Sequence, residues 1–294
     1  MPVTTKTVGY LVAGALLISC GSGPDLSVND GGLTLAITDA AVDDVSAVWI
    51  EFSGIEFKPL SASANQFSID FDAPKKINLL ALQGSQFKLL LDNKPIEAGT
   101  YSWMRLKVNA LENTQDSYIE ANGGSYSLYM PSGSESGLRL NRSFSISDSS
   151  DTYITIDFDL RKSITAPQLP DVNYTLKPVL RQIMTKRSGH IQGTVSGTTM
   201  NDASCTGTNY AVYAYSGQNV EPDDVDNMGV EPITTSLLTD TTYQYGLGFL
   251  PEGDYTISFV CDATNDLPTS SEILNYIGTT HVTVIANQTT THDF

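Results

Sequence analysis

Residues 153–160 read Tyr-Ile-Thr-Ile-Asp-Phe-Asp-Leu, and they alternate apolar and polar side chains more clearly than any other stretch of the chain. In an extended strand, successive side chains point to opposite faces of the sheet. One face is therefore apolar and the other polar, with Ile154, Ile156, Phe158 and Leu160 on the first and Thr155, Asp157 and Asp159 on the second. This period of two predicts a β-strand that is buried on one side.

The same alternation recurs around that strand in the first two thirds of the chain. It predicts strands at residues 33–38, 45–58, 104–108 and 172–184, the last with a break at Pro178. Residues 77–83 have the composition of a short helix, which Gly84 ends. We therefore predict a β domain over residues 33–184.

A second β-rich region follows a short polar segment, residues 185–189, which is typical of a linker. Strands are predicted at residues 191–195, 209–215, 243–250, 254–261 and 280–285. A glycine two positions before a tyrosine opens a predicted strand in both regions, at Tyr101 and Tyr255, which predicts a similar hairpin in each. The predicted fold is all-β, with two sandwich-like domains, residues 33–184 and 190–294.

The start of the chain carries an export signal. A positively charged start precedes an apolar run over residues 8–18, which is shorter than the ~20 residues of a spanning helix. Residues 17–20, Leu-Ile-Ser-Cys, match the bacterial lipobox, in which the cysteine is obligatory. We expect a signal peptide over residues 1–19, lipid attachment at Cys20 and a flexible tether over residues 20–32. A weakly hydrophobic membrane anchor is the alternative.

The charge balance restricts the partners. The formal net charge is −17 and the sequence pI is about 4.3. Because the sequence has no basic stripe, we do not expect it to bind nucleic acid or anionic lipid electrostatically. We therefore expect the lipid on Cys20 to provide the link to the membrane. Gly21 follows that cysteine. Similarity to Gram-negative lipoproteins, in which Asp at this position commonly retains the protein in the inner membrane, implies an outer-membrane location.

Two cysteines remain after lipidation, Cys205 and Cys261. Outside the cytoplasm disulfides form and persist, so we predict that these two cysteines pair. The alternative is a pair of buried thiols.

Motifs for metal or nucleophile chemistry are weak. His190, His281 and His292 are the three histidines, and their spacing matches no zinc motif, so ordinary surface or hydrogen-bonded roles are favoured. Residues 133–137, Gly-Ser-Glu-Ser-Gly, lack the serine position of a nucleophile elbow. We predict no catalytic residues, no metal ligands and no cofactor.

Paired acids offer a second route to catalysis. Asp70/Asp72 and Asp157/Asp159 each have the spacing that places two carboxylates on one face of a strand. A glycosidase needs two carboxylates across a cleft. Alternation on a solvent-facing strand surface gives the same spacing, and we favour that interpretation.

Two further groups of side chains suggest ligands. Residues 221–229 form the densest acidic stretch, but they lack the spacing of an EF-hand, so a solvated loop is favoured over a calcium site. A weaker calcium candidate consists of Asp39, Asp43 and Asp44. Tyrosines that could stack on sugars, or equally pack inside a sheet, are Tyr210, Tyr213 and Tyr215.

Three stretches of the first β region form a recognisable set, and they lie at residues 35–57, 77–84 (Ile-Asn-Leu-Leu-Ala-Leu-Gln-Gly) and 98–106 (Ala-Gly-Thr-Tyr-Ser-Trp-Met-Arg-Leu). Together they resemble a bacterial lipoprotein family known as domain of unknown function 4382. The resemblance covers roughly residues 33–184. It implies an exported all-β domain without an assigned activity.

Three stretches stand out in the second β region, and they lie at residues 189–195, 248–259 and 282–290. They are similar to carboxypeptidase-regulatory-like or transthyretin-like sandwich domains. This similarity implies an accessory module of immunoglobulin-like or transthyretin-like architecture, a class that lies near carbohydrate-binding-like folds.

These observations predict a lipid-anchored outer-membrane protein with a structural or binding role and no enzymatic activity. An envelope protein or a glycan is the expected partner, and the oligomeric state stays open. A carbohydrate-binding accessory protein is the first alternative, and a carboxylate-dependent hydrolase is the second.

Overall fold

The structure is a computed structural model. It describes Met1 and residues 29–40, 45–131, 137–167, 172–205, 209–239 and 241–294. The predicted signal peptide, Cys20 and most of the predicted tether lie outside the described residues, and so do Asp43, Asp44 and residues 132–136.

The strands up to residue 184 form two sheets, which we call the N-terminal unit. They are β1 (Asp30–Ala40), β2 (Ala47–Pro59), β3 (Phe67–Asn78), β4 (Lys88–Glu97), β5 (Gly99–Asn109), β6 (Tyr118–Ala121), β7 (Gly124–Tyr129), β8 (Leu138–Leu140), β9 (Phe144–Ile146), β10 (Thr152–Asp159), β11 (Ile164–Thr165), β12 (Tyr174–Leu176) and β13 (Leu180–Met184). One helical turn, α1 (Leu160–Ser163), follows β10.

One sheet of this unit has the order β13-β10-β1-β4, and the larger sheet has the order β11-β12-β7-β6-β2-β5-β8. Strand β3 pairs with β2, and β9 pairs with β5. Apolar side chains of the two sheets pack into one core between them. The first sheet contains a parallel pair, β1 with β10, in which Leu35 lies opposite Ile154.

The strand predicted from residues 153–160 is confirmed as β10, a central strand of its sheet. Ile154, Ile156 and Phe158 are buried in the core, as the alternation requires. The last residue of the quoted stretch, Leu160, begins α1 instead of continuing the strand. Asp159 ends the strand because its side chain accepts a hydrogen bond from the Lys162 amide and so caps α1.

The helix predicted over residues 77–83 is largely wrong. Strand β3 continues to Asn78, and only Leu79–Leu82 form a single turn of 3-10 helix. Leu79 and Leu82 are buried in the core, which explains their helical spacing. Gly84 follows with φ at +68°, the left-handed conformation that glycine adopts without a steric penalty.

The strands from residue 188 onward form two more sheets, which we call the C-terminal unit. They are β14 (Ser188–Thr194), β15 (Ala211–Ser216), β16 (Thr234–Leu237), β17 (Gln244–Pro251), β18 (Gly253–Val260), β19 (Tyr276–Val284) and β20 (Thr289–Thr291). The sheet orders are β17-β14-β20 and β16-β15-β18-β19. A one-turn helix, α2 (Gly197–Met200), follows β14. The segment 185–189, predicted as a linker, holds a 3-10 turn (Thr185–Arg187) and the start of β14.

The two glycine-to-tyrosine entries form inter-sheet corners and not the predicted hairpins. Strands β4 and β5 belong to different sheets, and so do β17 and β18. At each corner the tyrosine hydroxyl donates to a backbone oxygen four residues earlier, from Tyr101 to Glu97 at 2.6 Å and from Tyr255 to Pro251 at 2.7 Å. This is the arrangement of a tyrosine corner, in which the hydrogen bond links the start of a strand in one sheet to the end of the preceding strand in the other sheet.

The predicted disulfide between Cys205 and Cys261 is present, with Cα atoms 5.4 Å apart. Cys261 follows β18 and is fully buried, and Cys205 lies in the loop after α2. The bond therefore fastens that loop to the core of the C-terminal unit.

Candidate binding site

A cavity of about 330 Å³ lies between the two units, and we call it the interunit groove. Its floor comes from strands β1, β4 and β10 of the N-terminal unit, and Phe249 of β17 closes one side. The lining residues are Thr34, Ala36, Phe87, Leu89, Asp92, Asn93, Asp151, Tyr153, Ile154, Thr155, Thr185 and Phe249.

Two β-bulges direct side chains into this groove. In β4 the three residue steps from Leu91 to Lys94 lie opposite only two steps of β1, from Leu35 to Leu33. Within this bulge Asn93 adopts φ of +42°. In β17 the pairing with β14 shifts at Gly248 and Phe249, and Phe249 adopts φ of +51°. A positive φ is rare for a bulky side chain such as phenylalanine. Bulges re-aim side chains and occur often beside functional sites, so two of them facing one cavity mark it as the candidate site.

The polar end of the groove is built around Gly32. A Cβ atom at this glycine would lie 2.0 Å from Asn93 Oδ1 and 2.6 Å from Asp151 Oδ1, so only glycine leaves room for both side chains. The Asn93 amide donates to Thr34 Oγ1 at 3.1 Å, which holds the bulge against β1. An amide from β4 and a carboxylate from the residue before β10 therefore meet at one place.

The apolar end of the groove is aromatic. Phe87, which is half exposed, meets Phe249 edge to face with ring centroids 6.1 Å apart. His190 Nδ1 accepts a hydrogen bond from the Phe249 amide at 3.3 Å and so supports the second bulge. Burial lowers the pKa of His190, which favours the neutral ring that can accept this bond. Tyr153 adds a third ring, with Lys186 Nζ 4.3 Å from its centroid.

Beside the groove the two units touch through glycine backbone. A Cβ atom at Gly248 would lie 1.7 Å from the Gly84 carbonyl oxygen, whereas a Cβ atom at Gly246 would lie 3.6 Å from Gly84 Cα, an ordinary contact. The turn after the 3-10 helix therefore rests directly on the β17 bulge.

We expect Gly248→Ala to lower the free energy of unfolding by about 1–3 kcal/mol, because the added methyl group displaces the Gly84 turn. Gly246→Ala is the matched control, and its cost is expected to be smaller. Chemical denaturation of both variants measures the difference. Equal costs in the two variants contradict the close approach.

A buried polar contact joins the units on another side. Arg161 of α1 donates to Asp266 Oδ2 at 2.9 Å and to the Tyr213 hydroxyl at 2.6 Å. The Tyr213 hydroxyl donates in turn to Asp266. All three side chains are buried. Nearby, Lys162 pairs with Glu231, so two consecutive residues of α1 bind the C-terminal unit.

The paired acids have structural roles. Asp157 is buried, not on a solvent-facing surface as predicted, and β17 of the C-terminal unit packs against the neighbouring strand β13. It pairs with Arg181, its cross-strand neighbour on β13. Burial raises the pKa of both Asp157 and Asp159, and Arg181 and Lys162 respectively oppose that rise. Asp70 is exposed and pairs with Lys107 at 2.6 Å, as expected for an acid on a strand surface.

Of the two interpretations left open for the three tyrosines, packing inside a sheet is confirmed for two. Tyr213 and Tyr215 are fully buried, because β15 lies inside its sheet and both its faces are covered. Tyr210 is half-buried and packs on Phe259, with centroids 5.8 Å apart. Two of the aromatic residues that line the groove, Phe87 and Phe249, were not singled out as binding residues from the sequence.

The acidic stretch 221–229 is solvated at its ends, as the sequence favours, but its middle is buried. Asp224 is 1% exposed, and its carboxylate accepts a hydrogen bond from the Glu272 amide. Asp39, of the weaker calcium candidate, is also buried. His281 lies 3.2 Å from the Tyr255 carbonyl oxygen through Nδ1, and the His292 ring packs on Phe294. Of the Gly133–Gly137 stretch, only Gly137 is described.

No helix within the described ranges is long and apolar enough to cross a membrane. No curated protein matches the chain.

Several solved structures show low similarity to the chain. The TIE protein of Bacillus anthracis is 12% identical, with a TM-score of 0.22; the match covers 90% of this chain and 34% of that protein. The minor pilin GBS52 of Streptococcus agalactiae is 11% identical, with a TM-score of 0.22; the match covers 89% of this chain and 94% of that protein. A putative adhesin of Bacteroides ovatus is 9% identical, with a TM-score of 0.20; the match covers 92% of this chain and 88% of that protein. Likenesses at this level leave the function to be argued from the chain's own residues.

The family comparison is specific to the N-terminal unit. Residues 30–178 match the family described as domain of unknown function (DUF4382). The matched residues include the strands that form the floor of the interunit groove. The match spans half of the sequence, and it agrees with the resemblance found in residues 35–57, 77–84 and 98–106. The chain belongs to the DUF4382 family.

Proposed function

We propose that this chain is a lipid-anchored outer-membrane protein that binds a ligand without transforming it, and that the interunit groove is its binding surface. The observation that carries the proposal is the pair of bulges, at Asn93 and Phe249, that turn side chains from two units into one cavity. The anchor is inferred from the lipobox that ends at Cys20.

A binding role without catalysis agrees with the chemistry of the acids. Asp157 is neutralised by Arg181, and Asp159 caps a helix. Neither lines the groove. The acids that do line it, Asp92 and Asp151, are exposed to solvent, whereas the acid of a glycosidase is held in an apolar pocket.

The groove suits a neutral saccharide. Aromatic rings at Phe87 and Tyr153 offer flat apolar surfaces to the C–H faces of a sugar, and Asn93 and Asp151 offer hydrogen-bonding atoms to its hydroxyls. The net charge of −17 and the two groove carboxylates disfavour polyanionic glycans. A neutral glycan is therefore the ligand class that we propose.

The test is a glycan array probed with the mature chain, followed by mass measurement of the retained glycans. We expect saturable retention of neutral glycans whose masses do not change. Shortened glycans would identify a hydrolase, and retention of no glycan would reject the saccharide and leave a protein partner.

Anchoring has its own test. We expect Cys20→Ser to abolish lipid labelling and to release the protein from the membrane fraction, because no other attachment is proposed. Metabolic labelling with a fatty-acid analogue and membrane fractionation measure both effects. Labelled, membrane-bound Cys20→Ser protein contradicts the anchor.

A further inference from the structure

Three carboxylates from separate loops converge in the C-terminal unit, and we call them the carboxylate cluster. They belong to Asp224, Asp266 and Glu272, and one oxygen atom of each lies within 4.8 Å of the others. Asp224 lies between β15 and β16, Asp266 follows the 3-10 turn Ala263–Asn265, and Glu272 precedes β19. The cluster adjoins Arg161, which already binds Asp266.

The charges of this cluster are only partly balanced. Arg161 pairs with Asp266, but across the described part of the chain no ion pair includes Asp224 or Glu272. Taking a carboxylate out of water is costly unless a cation or hydrogen bonds replace the lost solvation. The cluster therefore has an excess of buried negative charge.

Asp224 carries the part of this negative charge that has the fewest hydrogen-bond partners. Its Oδ2 accepts a hydrogen bond from the Glu272 amide, whereas its buried Oδ1 receives none from the described residues. Such an oxygen is stabilised either by a proton or by a bound cation.

The carboxylates of the other two cluster members, Asp266 and Glu272, can each bind a further partner. Asp266 Oδ1 accepts one hydrogen bond, from the Val225 amide at 2.9 Å, and Glu272 Oε2 accepts one from the Leu267 amide at 3.0 Å. A carboxylate oxygen has two lone pairs, so each of these atoms can take one further partner. The backbone amides also hold the three loops in place around the cluster.

We propose that the carboxylate cluster is a calcium site, with Asp224 Oδ1 as a direct ligand. The donors are all oxygen atoms, which hard cations prefer, and they lie on loops, whose adjustable geometry suits calcium better than the strict octahedron of magnesium. Waters complete the coordination. The bound ion joins three loops beside the Arg161 contact and so stabilises the C-terminal unit where it meets the N-terminal unit.

The experiment uses the mature, disulfide-bonded chain freed of metal with a chelator, and calcium chloride as the probe. Calorimetric titration is expected to give one ion per chain, with a dissociation constant of roughly 10⁻⁴–10⁻³ M, the range of extracellular calcium modules. The unfolding temperature is expected to rise with calcium and to respond less to magnesium. No heat of binding and no calcium-dependent shift at ~10 mM, well above that range, overturn the proposal.

Variants locate the site. Asp224→Asn is expected to weaken calcium binding by about tenfold or more because it removes one ligand charge. The variant is expected to stay folded without calcium, since it removes a buried charge that has no cationic partner. Glu272→Gln serves as the second variant if Asp224→Asn does not fold. Glu112→Gln, an exposed acid of the N-terminal unit, is the charge-matched control and is expected to bind normally. Wild-type affinity in both cluster variants places the ion elsewhere and overturns the assignment.

Discussion

In calcium-free protein, replacing Arg161 with methionine is expected to lower the free energy of unfolding by about 3–5 kcal/mol, because the change leaves the buried Asp266 carboxylate without its cation. Methionine keeps much of the apolar stem, so the lost charge dominates the effect. Tyr213 cannot compensate as an ionised group: burial raises its pKa well above the usual range, and its neutral hydroxyl only donates one hydrogen bond to Asp266. Urea denaturation of the mature chain measures the loss.

A matched surface pair controls for the loss of an arginine. Arg187 and Glu252 form an ion pair in which the side chains are 75% and 45% exposed, so Arg187→Met is expected to cost about 1 kcal/mol or less. Adding Asp266→Asn to Arg161→Met is expected to recover part of the loss, since the buried charge then disappears as well. If Arg161→Met costs no more than Arg187→Met, the buried contact does not stabilise the joined units.

The second large effect is expected at the disulfide. Cys205→Ala/Cys261→Ala is expected to lower the free energy of unfolding by about 4 kcal/mol, because the bond closes a loop with a sequence separation of 56 and so restricts the unfolded chain. Alanine is preferred to serine because Cys261 is fully buried among apolar side chains.

A reductant provides the control for this double variant. The wild-type chain is expected to lose about the same stability when it is reduced, whereas the double variant is expected not to respond. Intact-mass measurement after thiol alkylation shows whether the bond was present at the start. Two alkylated cysteines in unreduced protein contradict the pairing.

Strands with regular alternation were predictable from the sequence because they lie inside sheets over a core. Strands β2, β5 and β10 pack one apolar face against the opposite sheet, and their pattern follows directly from that position. Strand β4 escaped prediction because it is an edge strand, where Pro95 and charged side chains are tolerated. In β3, another edge strand, only the Asp70/Asp72 pair was assigned to a strand surface. Position in the sheet does not decide the outcome alone, since the short central strands β6 and β7 were missed as well.

The groove could not be predicted because it depends on pairing between distant strands. Asn93 and Phe249 enter it through bulges, and a bulge is a property of register against a partner strand. The sequence gives one local hint, the Asp92-Asn93 pair after three leucines, since this dipeptide is more typical of turns than of strands. Nothing comparable marks Phe249.

The buried polar contacts show the same dependence on distance along the chain. Arg161 and Asp266 are 105 residues apart in the sequence, and each belongs to a different unit. Asp157 looked solvent-facing because alternation describes one sheet, whereas β17 of the C-terminal unit packs against the neighbouring strand β13. Polar residues were thus placed on the correct face of a strand, but what packs on that face was not predictable.

The most direct test of the groove as a binding surface is an equilibrium titration of neutral glycans against two pairs of variants. Phe87→Ala and Asn93→Gly remove an apolar and a polar groove contact, and glycine keeps the positive φ at residue 93 without strain. Leu111→Ala and Asn219→Gly are the matched controls, since Leu111 is equally exposed and Asn219 has φ of +53°.

We predict that each groove variant weakens binding by about tenfold, the effect of losing roughly 1.4 kcal/mol of contact, and that both controls bind as the wild type does. Glycan affinity that is unchanged in both groove variants would contradict the account.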